Sequence, residues 1–108
     1  MDVVKRFEIY FVEFDPTKGS EINKTRPGVI LSPNEMNDAL NTVIMSPLTT
    51  SLKNYPSRVN CKVKGKDGQI ALDQLRCVDK SRLKNKLAKL SENEQSDVFE
   101  VLKKMFSL

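Results

Sequence analysis

A chain of 108 residues, 39% hydrophobic and 30% charged, has room for one domain spanning residues 1–108, which buries roughly two thirds of its unfolded surface and needs neither metal nor disulfide to fold. No long apolar run is present, which excludes a transmembrane helix and a secretory signal and makes the cytoplasm the expected location, with no membrane partner. The complete lack of histidine excludes Ser-His and Cys-His nucleophilic catalysis, and Cys61 and Cys77, sixteen positions apart, make no zinc motif and read as free thiols.

The net charge of +4 is unevenly spread. Residues 53–89 hold 11 basic and 3 acidic side chains, a local +8, whereas residues 1–52 hold 5 and 7. Such a block is the footprint of a polyanion-binding face, or equally of a solvated surface that keeps the chain soluble.

In chain order, RFEIYFVEFDP comes close to alternation. Phe7, Ile9 and Phe11 share one face and Tyr10, Val12 and Phe14 the other, predicting a strand buried on both sides and closed by Pro16. TKGSEINKT is polar and reads as a loop. A permanent cation and a proline, Arg26-Pro27, then open a strand from Gly28 to Leu31. SPNEMNDAL predicts a short helix with Ser32 as N-cap and Pro33 at its first position. NTVIMSPLTT predicts a third strand that Pro47 forces to an edge, a bend or its end.

SRVNCKVKGKDGQIALDQLRCV places Val59, Cys61 and Val63 on a core face and Arg58, Asn60, Lys62 and Lys64 on a basic one. Asp67-Gly68 is a hairpin-turn signal, after which the chain returns as Gln69 to Val78. Leu83, Leu87 and Leu90 are spaced by four and three, which by period alone is helical. Ser91 with Glu94 forms a capping box for a helix from Glu92 to Phe106, with Val98, Leu102 and Met105 as its apolar stripe, backed by Phe99 and Phe106. About five short strands and one packed helix indicate a small twisted sheet or partly open barrel.

Four segments, FVEFDPTKGSEINKTRPGVILSP, MSPLTTSLKNYP, DGQIALDQLRCVDKSRL and KLSENE, resemble in order and spacing the MazF/PemK family, the toxins of type II toxin-antitoxin systems. The resemblance runs from about residue 8 into the terminal helix. It implies a mainly β fold, an SH3-like (CcdB/MazF-type) barrel with a C-terminal helix, forming a homodimer. It further implies an endoribonuclease that cuts single-stranded mRNA at short sequences without metal or other cofactor, leaving 2′,3′-cyclic phosphate and 5′-hydroxyl ends. A cognate antitoxin with an acidic C-terminal tail is the implied partner. The family pattern also favours a strand at residues 84–90 over the helix that the leucine spacing suggests, and we adopt the strand.

Carried onto this chain, the resemblance makes Arg26 and Thr49 the catalytic pair. A guanidinium holds two equatorial phosphate oxygens as charge grows on them, and a threonine hydroxyl can donate to another. The same arginine could instead be an ordinary surface cation, and the same threonine an ordinary strand end. Lys18, Ser20 and Glu21 lie in the loop before Arg26, which by the resemblance covers the active site and helps read the RNA: Lys18 for a phosphate, Glu21 for a base edge or a proton. Thr25 stands where several relatives have histidine, so the general base is unassigned. Thr50 and Ser51 are further RNA contacts. Asp73 and Gln74 interrupt apolar strand positions, where an unpaired buried carboxylate is costly, so they face a groove or partner, with Arg76 beside them. Ala71 stands where plasmid-borne relatives carry a catalytic arginine. The basic residues Arg58, Lys62, Lys64, Arg76, Lys80, Arg82, Lys84 and Lys86 suit RNA backbone or an acidic tail. Two rival readings are a CcdB-like DNA gyrase poison, which the terminal KKMFSL without tryptophan disfavours, and an inactive RNA- or antitoxin-binding module.

Overall fold

The computed structural model describes residues 3–14 and 25–107. Among these, seven strands and two helices follow in the order β1 (Glu8–Glu13), β2 (Thr25–Ile30), α1 (Asn34–Ala39), β3 (Thr42–Thr49), β4 (Arg58–Val63), β5 (Lys66–Ala71), β6 (Arg76–Asp79), β7 (Leu83–Lys89) and α2 (Glu92–Phe106). The sheet runs β4-β5-β3-β2-β1-β7, with β6 also paired to β3. It is a mainly β half-barrel with a C-terminal helix.

Both faces of the central strands are apolar, as the near-alternation of β1 requires. Phe7, Ile9, Val29, Leu48, Val59, Ile70 and Leu72 form one core, with Val98 of α2 packed into it. Tyr10, Val12, Ile30, Val43, Met45 and Val78 form the second, on the opposite side. The helix starts where expected. Ser91 Oγ accepts from the Glu94 N–H at 3.2 Å while Glu94 Oε1 accepts from the Ser91 N–H at 2.9 Å. The other oxygen of Glu94 accepts from the Lys62 N–H at 2.8 Å, tying α2 to the outer strand β4.

Strand β3 crosses Pro47 without stopping. Its first half pairs with β6, from Thr42–Asp79 to Met45–Arg76, and its last two residues pair with β5, Leu48–Ile70 and Thr49–Gln69. Pro47 therefore falls in the gap between β6 and β5, where its missing N–H breaks no ladder. On its other side β3 pairs with β2 only as far as Gly28–Pro47. Beyond that pair the two strands fork.

Three local expectations are corrected. The hairpin turn is Lys64-Gly65, not Asp67-Gly68: both residues have positive φ, 49° and 82°, as a type I′ turn demands. Gly68 lies inside β5, where a β-carbon would stand 3.1 Å from the Thr49 carbonyl oxygen. The return from Gln69 is not one strand, because Leu72–Gln74 forms a 3₁₀ turn that puts Asp73 and Gln74 outside any strand. Ser32 is not the cap of α1, which starts after Pro33; its hydroxyl instead donates to Asn37 Oδ1 at 2.5 Å and accepts from the Ile44 N–H at 3.0 Å.

Leu83 and Leu87 do sit on a strand, and Leu90 follows its last residue. Two register shifts against β1, one between Ile9 and Tyr10 and one between Tyr10 and Val12, break its period. Leu83 thereby enters the second core while Leu87 and Leu90 meet the first. A bulged strand has imitated a helical spacing.

Candidate functional site

The fork between β2 and β3 is flanked by two clefts. The first, about 260 Å³, is lined by Phe14, Arg26, Pro47, Gln74 and Arg76. Arg26 reaches it from the exposed entry of β2, opposite Val12 of β1. Arg76 comes from β6, opposite Met45, with its guanidinium 5.8 Å from the centre of the Phe14 ring. Gly28 makes room for that ring, since a β-carbon there would lie 2.8 Å from Phe14 Cζ. Two guanidinium groups and one carboxamide thus converge on a small cavity, a donor set suited to phosphate oxygens.

The second cleft, about 390 Å³, has an apolar floor that includes Phe11, Pro27, Leu48 and Leu87, and a polar rim of Thr49, Thr50, Lys64, Lys66 and Asp67. Thr49 closes β3 at this rim. Its Oγ1 accepts from the Ser51 N–H at 3.0 Å, which occupies a lone pair and leaves the hydroxyl proton to be donated elsewhere. Beneath it, the Cys61 thiol is pushed up to about 11 by burial and by the Glu94 carboxylate.

Five of the eleven site residues singled out in the sequence line the two clefts. Arg26, Gln74 and Arg76 share the first cleft, while Thr49 and Thr50 belong to the second. Thr25, at the start of β2, pairs with Glu13 and is exposed. Ser51 is exposed beside Thr49. Asp73 accepts from the Ser57 hydroxyl at 2.9 Å and lies 3.6 Å from Arg58, so it is engaged within the fold. Lys18, Ser20 and Glu21 lie outside the described residues.

The basic block is not one continuous face. The Arg58 side chain is only 9% exposed. Lys80 donates to the Asn37 carbonyl, Arg82 to the carbonyls of Glu13 and Phe14, and Lys86 pairs with Glu8 at 2.6 Å. These cations hold elements together, a role a charge count along the chain cannot distinguish from a binding one. Phe14, Pro47 and Lys66 escaped the sequence reading, since nothing but tertiary proximity marks them as cleft residues. Among the described residues no three His, Cys, Asp or Glu side chains are grouped as a metal site, and no helix is long and apolar enough to cross a membrane.

Fold and clefts together define a small half-barrel protein with two arginines in a cleft beside a strand fork, suited to binding a phosphate. A family model described as PemK-like, MazF-like toxin of type II toxin-antitoxin system matches residues 5–106, and the chain belongs to that family. It is 34% identical over 102 residues to endoribonuclease MazF of Staphylococcus epidermidis, an alignment covering 89% of this chain and 85% of that protein. The fold matches the MazE-MazF crystal structure (Form-II) from Deinococcus radiodurans with TM-score 0.86 at 25% identity, over 100% of this chain and 99% of that one. It also matches a mycobacterial endoribonuclease in complex with its cognate antitoxin, TM-score 0.81 at 21% identity, over 97% and 96%.

Proposed function

We propose that this chain is a cytoplasmic endoribonuclease toxin that cuts single-stranded RNA at short recognition sequences without a metal ion and is neutralised by a cognate antitoxin with an acidic tail. The observation that carries the reading is the convergence of Arg26, Arg76 and Gln74 on one cleft beside the Thr49 strand end. The Staphylococcus epidermidis endoribonuclease MazF and the MazE-MazF complex from Deinococcus radiodurans support it as relatives. A homodimer is part of the same proposal.

In the reaction, the ribose 2′-oxygen attacks the neighbouring phosphorus and the bond from phosphorus to the 5′-oxygen breaks. A 2′,3′-cyclic phosphate remains on one fragment, and the other leaves with a 5′-hydroxyl after taking a proton. The 2′-hydroxyl gives its proton to a base that these residues do not assign. Arg26 holds the equatorial oxygens as negative charge grows on them, and the Thr49 hydroxyl donates to a non-bridging oxygen. Arg76 and Gln74 fix the adjacent phosphate or base, and Lys18, Ser20, Glu21, Thr25, Thr50, Ser51 and Asp73 complete the RNA contacts.

The test is incubation of the pure protein with a long RNA in chelator, with mapping of cut sites and end groups. Cleavage is expected to persist in chelator and to stop on an RNA with hydrogen in place of the 2′-hydroxyl at the cut site. Arg26→Ala should lower the rate by about a hundredfold or more, the usual effect of removing one charge-stabilising donor, while antitoxin binding and folding persist. Cutting of the deoxy substrate, or activity lost in chelator, sinks the mechanism. Inhibition of gyrase by a protein that leaves RNA intact would support the CcdB-like alternative.

A further inference from the structure

Thr49 is the last residue of β3, and the chain after it, through Tyr55, belongs to no strand. Two side chains nevertheless pin this segment. Gln69 grips it twice. Its backbone is the ladder partner of Thr49, and its side chain, in a residue only 7% exposed, reaches Lys53. There Oε1 accepts from the Lys53 N–H at 3.0 Å and Nε2 donates to the Lys53 carbonyl at 3.0 Å, so the carboxamide takes the place of a neighbouring strand's peptide. Nε2 also donates to Asn60 Oδ1 at 3.0 Å, which satisfies the buried amide.

Arg58 supports the same turn from below. Its Nη1 donates to Gln69 Oε1 and to the Ser51 carbonyl, both at 3.3 Å, and its guanidinium lies 5.2 Å from the centre of the Tyr55 ring and 3.6 Å from Asp73. The Ser51 backbone is thus held on both sides of its Cα: its carbonyl accepts from Arg58 while its N–H donates to Thr49 Oγ1. A continuous set of bonds runs from Gln69 and Arg58 through Ser51 to the Thr49 hydroxyl.

We propose that Gln69 and Arg58 are positioning residues that hold the Thr50–Lys53 turn so that the Thr49 hydroxyl is presented to the RNA phosphate in one fixed orientation. This rests on the endoribonuclease reading above. Without the clamp the turn loses its partners, Ser51 no longer fixes Thr49 Oγ1, and the donor is misplaced at the moment charge develops, whereas ground-state RNA binding through the arginine cleft is little changed.

The experiment compares the wild-type protein with Gln69→Met, Gln69→Glu and Arg58→Lys. It measures kcat and KM on an RNA oligonucleotide in chelator, amide hydrogen exchange at Ser51 and Lys53, and the urea midpoint. Gln69→Met keeps the shape and removes every side-chain hydrogen bond while leaving the backbone ladder; kcat should fall about tenfold or more with KM held within about threefold, and the Lys53 amide should exchange about tenfold faster or more. Gln69→Glu keeps the acceptor for the Lys53 N–H and should fall between Gln69→Met and wild type. Arg58→Lys, lacking the planar fork, should release the Thr49–Ser51 contact and lower kcat. Unchanged kcat in folded Gln69→Met protein would reduce the clamp to a structural clip, and an unchanged Lys53 exchange rate would show that these bonds do not hold the turn. If the wild-type protein fails to cut RNA, the endoribonuclease reading has failed, and the exchange measurements decide the clamp alone.

Discussion

Cys61 sits at the meeting of two demands on one side chain, filling the core under β4 and lining the cleft beside Thr49. Burial, followed by the Glu94 carboxylate, pushes its thiol from an ordinary 9.0 up to about 11. Between those two values the unfolded chain has released the proton and the native chain has not, so the native state loses stability as pH rises through this window. Cys61→Val should remove that part of the alkaline slope. Urea midpoints at pH 8, 9 and 10 check it, and parallel curves for the two proteins would refute it. The same burial makes Cys61 inert to alkylating agents at neutral pH, leaving exposed Cys77 as the residue that reacts.

The β4–β5 hairpin is the element whose turn chemistry is least matched to its geometry. A type I′ turn needs two positive φ angles; Gly65 supplies 82° without strain, but Lys64 is held at 49° against the preference of a residue with a β-carbon. Lys64→Asn, which creates the Asn-Gly pair such turns favour, should raise stability by roughly 0.5–1 kcal/mol, read as a higher urea midpoint at constant slope. The mismatch also hides the turn from a reading of the sequence, in which Asp67-Gly68 is the stronger turn signal. There Gly68 serves another purpose, letting β5 pass close to the Thr49 carbonyl. The leucine spacing of β7 misleads for a similar reason. Bulges are made by pairing with β1, and a strand's own residues do not announce them. The α2 helix, by contrast, carries its whole signal locally in the Ser91–Glu94 box and the stripe through Val98.

At the scale of the molecule, Glu8 ties β1 to the edge strand β7 through Lys86. Burial alone would raise its carboxyl. The Lys86 ammonium, the Lys5 N–H and the Tyr10 hydroxyl outweigh it and hold the group below its ordinary 4.5. A depressed carboxyl contributes stability that is present above that ordinary value and is lost as pH falls through the folded one. Glu8→Gln should therefore cost roughly 2 kcal/mol at pH 7 and flatten the acid limb of the stability curve below pH 4.5. Denaturant melts at pH 7, 5 and 4 test this, and a mutant curve parallel to wild type would count against it. Burial pattern, charge and turn residues along the chain determined that β1 is buried on both faces, that a capped helix closes the chain, and that Arg26 stands at the mouth of a strand; those features depend on neighbours within a few residues. Only the tertiary structure decided that β3 crosses from one pairing partner to another at Pro47, that Arg26 and Thr49 lie in separate clefts of one fork, and that Arg58, Arg82 and Lys86 serve the fold. Strand partners such as Glu8 and Lys89 lie 81 positions apart and the Lys86–Glu8 ion pair 78, and no local pattern encodes which of many equivalent cations or strand edges will meet.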